Sequence, residues 1–100
     1  MTCEFEMSRR EEGVYHLSGE LVFETVPDVL ERSVMMFQSG VDVDIDLSGV
    51  VRADSAGLAL LIEWVRRANK QRHKMVFRNM PEQMSAIVGL VGLDEVLPLE

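Results

Sequence analysis

Cys3, Phe5 and Met7 alternate with Glu4, Glu6 and Ser8, the two-residue period of a strand with one buried face. The charged RREEG at 9–13 reads as a turn, and VYHLSGEL at 14–21 as a second strand ending near Ser18-Gly19. Strands joined so closely pair as a hairpin. The period then changes. Val26, Val29, Leu30, Ser33, Val34 and Phe37 recur every three or four residues and predict a helix. Thr25 is placed to cap it, Pro27 suits its first turn, and Ser39-Gly40 ends it. Alternation returns in VDVDIDLS, with Val41, Val43, Ile45 and Leu47 on one face and three aspartates on the other.

The next segment, DLSGVVRADSAGLALLIEW at 46–64, passes through a small-residue loop into a strongly apolar helix predicted from Ser55 to about Asn69. Projected at helical pitch, Leu58, Leu61, Ile62, Val65 and Ala68 make one stripe facing the core, with Glu63, Arg66 and Lys70 opposite. Leu60 and Trp64 fall at one margin, which Ala56 and Arg67 extend toward solvent. Trp64 is expected to pack on the first helix near Met35 or Met36. HKMVFRNM supplies a short strand. Pro81 then starts a third helix carrying Met84, Ile87, Val88 and Val91, weakened at its end by Gly89 and Gly92. The order ββαβαβα implies an α/β fold: right-handed crossovers and one mixed sheet with helices packed against it, in a single domain over residues 1–100.

Composition narrows the function classes. With 47% hydrophobic and 27% charged residues, the chain has the make-up of a globular protein. A net charge of -7 argues against nucleic acid, because neutralising phosphates takes clustered Lys and Arg. The charge is uneven: residues 1–50 carry three basic and eleven acidic side chains, residues 51–100 seven and six. Most of the basic ones lie between Arg66 and Arg78, where a solvated helix end meets a strand. Cys3 is the only cysteine, so neither an intrachain disulfide nor a thiolate zinc cluster can form. The N-terminus lacks the continuous apolar stretch of a signal peptide, and no apolar run approaches the length of a membrane span. A cytoplasmic chain is expected, reaching a membrane only through a partner.

Three constellations are candidates for chemistry. Asp42, Asp44 and Asp46 share a strand face, but neighbours there sit about 7 Å apart, too far for a compact metal site; no metal is expected. Asp46, at the strand end, is placed to accept hydrogen bonds from the following loop. His16 reads as a strand-face side chain. Ser55 stands in Ala-Asp-Ser-Ala-Gly, without the flanking glycines of a nucleophile elbow, so no catalytic residue is assigned. The helix mouth remains. Its amides favour an anion or a hydroxyl, and Asp54 or Ser55 is placed to cap it. Ala53, Ala56 and Gly57 leave a flat surface around the hydroxyl, a platform for a protein partner. Asp54, Ser55, Ala56, Gly57, Leu60 and Arg67 are the predicted partner-binding residues. No Gly-rich phosphate loop is present, and no cofactor is expected.

The element order, LSGEL at 17–21 and IDLSGVVRADSAGLALL at 45–61 resemble the STAS family over nearly the whole chain. The resemblance implies a non-catalytic protein-binding domain. Among family members, the anti-sigma factor antagonists are phosphorylated by an anti-sigma kinase at the serine matching Ser55. That step adds about two negative charges to a flat interface. Two positions depart from the antagonist pattern: Val22 stands where many have an acidic residue, and Ala56 where many have a second hydroxyl. GLALLIEWVRRANKQ and the DEVLPLE ending resemble the MlaB branch. That branch implies an accessory subunit of an ABC-type phospholipid transporter maintaining outer-membrane lipid asymmetry. Its partner would be the cytosolic ATPase subunit, on the inner face of the membrane. The alternative is an antagonist regulated through Ser55, with an anti-sigma factor kinase as partner.

Overall fold

The computed structural model describes residues 3–100. Its elements are β1 (Phe5–Glu11), β2 (Val14–Leu21), α1 (Val26–Met36), β3 (Val43–Ala53), α2 (Ser55–Gln71), β4 (Met75–Arg78) and α3 (Glu82–Leu90). The ββαβαβα order is the expected one. The four strands form one mixed sheet in the order β1-β2-β3-β4. β1 and β2 are the antiparallel hairpin, whereas β2–β3 and β3–β4 are parallel, joined by α1 and α2 as crossovers. Beyond β4, Leu99 bridges to Phe77 and lengthens the sheet by a short edge.

One buried cluster joins alternate strand positions (Tyr15, Leu17, Val43, Ile45, Leu47, Met75, Phe77) to Val29, Leu61, Trp64, Met84 and Val88 of the helices. The helices therefore cover one face of the sheet. The other face carries the polar alternates, and its acidic strand is neutralised locally. Asp44 pairs with Arg78, and Asp42 accepts the Lys74 backbone N–H at 2.8 Å. Asp46 accepts from Ser48 N at 2.9 Å, Asn79 at 3.1 Å and Arg10 at 3.0 Å. Asp46 was expected at a strand end with a loop beyond it, but Ser48 belongs to β3, so this bond is made within the strand.

Several boundaries differ from the sequence reading. β1 continues through Arg9 and Arg10 to Glu11, so the turn shrinks to Glu12-Gly13. Gly13 takes φ +76, and a Cβ there would meet the Asp42 carbonyl at 2.4 Å. α1 stops at Met36, and Phe37 leaves it extended to pack on Tyr15 and Trp64. The supposed loop at 48–53 is strand: β3 runs on to Ala53, with its register against β2 shifted between His16 and Ser18. An irregular register at Ser48-Gly49 lets a small residue stay in the ladder.

The largest correction concerns α2. Its buried residues are Gly57, Leu58, Leu60, Leu61, Trp64 and Ala68, while Ile62 is 42% exposed and Val65 half-buried. The buried arc is turned by roughly 70° from the apolar stripe, most of one residue step on a helix. The cause is α1. Trp64 Nε1 donates to Ser33 Oγ at 2.9 Å, and the indole lies between Phe37 and Phe77. Leu60, one turn before Trp64, is drawn in beside it to 2% exposure. It belongs to the core and is unavailable as a partner contact.

Candidate functional site

β2 and β3 run parallel and end side by side at Leu21 and Ala53, so the segments leaving them meet. One is the Val22–Thr25 connection to α1; the other is Asp54 and the first turn of α2. Thr25 organises the first segment by accepting from Val22 N at 3.0 Å and donating to the Glu20 carbonyl at 2.6 Å. Thr25 is the N-cap of α1, as expected, but it caps through its backbone carbonyl, which accepts from Asp28 and Val29, and its side chain makes no cap bond.

Asp54 links the two segments. As N-cap of α2, its Oδ1 accepts from Ala56 N at 2.8 Å, and Oδ2 accepts from Phe23 N at 3.2 Å. Its own N–H reaches the Leu21 carbonyl at 3.2 Å, and its carbonyl receives Gly57 N at 3.0 Å. The mouth of the helix is thus already occupied by an anion from the chain itself. Gly57 is buried against the end of β2: a Cβ there would lie 2.6 Å from the Leu21 carbonyl oxygen. Ala53 is buried as well, below the surface it was expected to form.

Ser55 stands exposed on this scaffold, beside half-buried Ala56. The six predicted contact residues are therefore only partly brought together. Asp54 and Gly57 hold the surface in place, Ser55 and Ala56 form it, and Leu60 lies beneath it. Arg67 is twelve residues along the helix from Ser55, about 18 Å at 1.5 Å per residue, and is bound to Glu63 at 2.7 Å. The stripe continuous with Ser55 at helical spacing is instead Ala59, Ile62 and Arg66, all exposed. The sequence reading also left out Phe23, which is 77% exposed and tied through its N–H to Asp54. Its signal was present: a large apolar residue in a four-residue connection whose neighbours Leu21 and Val22 already fill the core.

Among the described residues no group of three His, Cys, Asp or Glu side chains is arranged to hold a metal, and no helix is long and apolar enough to cross a membrane. What the site offers is a hydrogen-bonded surface carrying exposed Ser55 and the exposed ring of Phe23.

Comparisons with known proteins bear on the family and the fold. The family model described as "Mlab, STAS domain" matches residues 5–99. The chain is 29% identical over 82 residues to the anti-sigma-B factor antagonist of Staphylococcus epidermidis, spanning 81% of this chain and 76% of that protein. Among solved structures, an anti-sigma factor antagonist from Mycobacterium paratuberculosis superposes with a TM-score of 0.80 at 23% identity, covering 96% of this chain and 85% of its own. The antagonist SpoIIAA matches in its unphosphorylated form (TM-score 0.74, 17% identity, 97% and 86% coverage). Its phosphorylated form from Bacillus matches too (0.71, 18%, 97% and 89%). At these identities the structural matches speak for the fold alone, and the family model carries the assignment: the chain belongs to the STAS family, in its MlaB-type division.

Proposed function

We propose that this chain is a phosphorylation-switched, protein-binding regulator of the anti-sigma factor antagonist kind, acting in the cytoplasm without catalysis of its own. The observation that carries the reading is an exposed Ser55 on a helix start whose Ala56 and Gly57 amides are already engaged by Asp54. A phosphate placed there finds the Ala56 and Gly57 amides already taken and stays at the surface as added charge. It changes the interface and leaves the fold alone, as a switch requires. In the transfer, Ser55 Oγ bonds to the γ-phosphorus of ATP held by a partner kinase. The bond to ADP breaks, and the hydroxyl proton passes to a base of the kinase. Asp54 is ill-suited as that base, since both its oxygens hold backbone amides. The similarity to antagonists, one of them known in both phosphorylation states, supports the reading.

A second reading has its own support in the matched family model, which is that of MlaB. There the same surface would dock on the ATPase subunit of a phospholipid-transporting ABC complex, with Ser55 a contact residue. The partner separates the two. Purified with its native complex and identified by mass, the partner is expected to be a small ATP-binding kinase, and the intact chain to show a phosphorylated fraction that vanishes in Ser55→Ala. An ABC ATPase partner with a wholly unmodified chain would transfer the assignment to the second reading.

A further inference from the structure

Far from Ser55, α1 and α2 part to leave a groove of about 510 Å³. Its origin lies in the helix lengths. Ser33 and Trp64 are hydrogen-bonded across the pair, yet Ser33 is close to the end of α1 at Met36, whereas α2 runs on to Gln71. The last turns of α2 therefore extend past the end of α1. Its apolar walls are exposed Val34 and half-buried Phe37, over a floor where Trp64 and Met75 are almost wholly covered. At the rim stand Arg67 and Lys70. Glu63 is the carboxylate paired with Arg66 and Arg67, and among the described residues Lys70 forms no ion pair. Cations here thus outnumber carboxylates on a chain whose net charge is -7.

We propose that this groove binds a small amphipathic anion, an acyl or aryl body ending in a carboxylate or phosphate, with the body on Val34 and Phe37 and the head beside Lys70 and Arg67. The volume falls within the range of small-ligand sites, which are apolar clefts with a few placed polar groups. A neutral apolar molecule would leave the rim charge unused, and a cation would be repelled by it.

Trp64 is the chain's one tryptophan, so its fluorescence reports on the groove. Decanoate titrated into the full chain is expected to shift that emission saturably, with calorimetry giving one site per chain. Decan-1-ol should bind roughly tenfold more weakly, and Lys70→Glu should weaken decanoate by a similar factor while leaving decan-1-ol unchanged. Val34→Phe, at an exposed wall position, should weaken both by filling the groove. Uptake without saturation overturns the proposal, as does equal affinity for the alcohol. So does decanoate affinity unaltered in both variants, or a groove closed by a second copy of the chain at the titration concentration.

Discussion

Asp54 and Gly57 illustrate why small changes at this site separate into structural and functional ones. Gly57 carries no Cβ because the Leu21 carbonyl occupies that space, at 2.6 Å from an ideal Cβ. Relief requires α2 to move off the end of β2. Gly57→Ala is expected to cost about 1–3 kcal/mol by overpacking, read as a lower denaturant midpoint, and to weaken partner binding because Phe23 and Ser55 are displaced together. Ser55 behaves oppositely. Being exposed at a helix start that tolerates a carboxylate, Ser55→Asp should shift stability by no more than about 0.5 kcal/mol while abolishing partner capture. A folded Ser55→Asp variant that captures its partner as wild type does would remove Ser55 from the interface.

α2 is buried along an arc that includes Leu60 and Trp64 and omits Ile62. That inverts the consequences of substituting its apolar residues. Leu60→Ala is expected to cost about 2–5 kcal/mol as a core cavity. Ile62→Glu should stay within about 1 kcal/mol, since it replaces a side chain already 42% exposed. If the binding stripe is Ser55, Ala59, Ile62 and Arg66, Ile62→Glu also weakens the partner complex. Denaturant titration of the isolated chain and calorimetry with the partner test both halves. Should Ile62→Glu unfold the chain as Leu60→Ala destabilises it, the orientation of α2 is wrong.

Across the whole molecule, acid sensitivity follows from two carboxylates held below their ordinary range. Hydrogen bonds from Arg66 and then Arg67 bring Glu63 down to about 2. Burial pushes Asp46 up, but Ser48, Asn79 and Arg10 outweigh it and hold the carboxyl well below the usual value. For a group depressed in the folded state, the stabilisation is complete above its unfolded pKa and disappears as pH falls through the folded one. The denaturant midpoint should therefore fall progressively below about pH 4.5. Asp46, whose side chain is only 15% exposed, should dominate: Asp46→Asn is expected to flatten this acid slope, and Glu63→Gln to change it little because solvent screens that pair. An unchanged slope in Asp46→Asn would place the acid sensitivity elsewhere.

Element order, the hairpin and the single sheet were legible from the chain, because period-two and period-three-to-four patterns record which face each segment buries. The helix start at Ser55 was legible for the same local reason, since its cap and first apolar turn are contiguous. Three features depended on segments distant in sequence. Ser48-Gly49 reads as a loop, yet becomes strand because β2 supplies a partner across an irregular register. The rotation of α2 follows from Ser33 of α1 and Phe37 just beyond it pulling Trp64, and Leu60 with it, out of the margin that periodicity assigned them. Phe23 joins Ser55 because two parallel strands end together and Asp54 bridges them. Local amphipathicity specifies that a helix has an inner face. Which residues complete that face, and which loop stands beside it, is decided only when neighbouring elements compete for the same buried space.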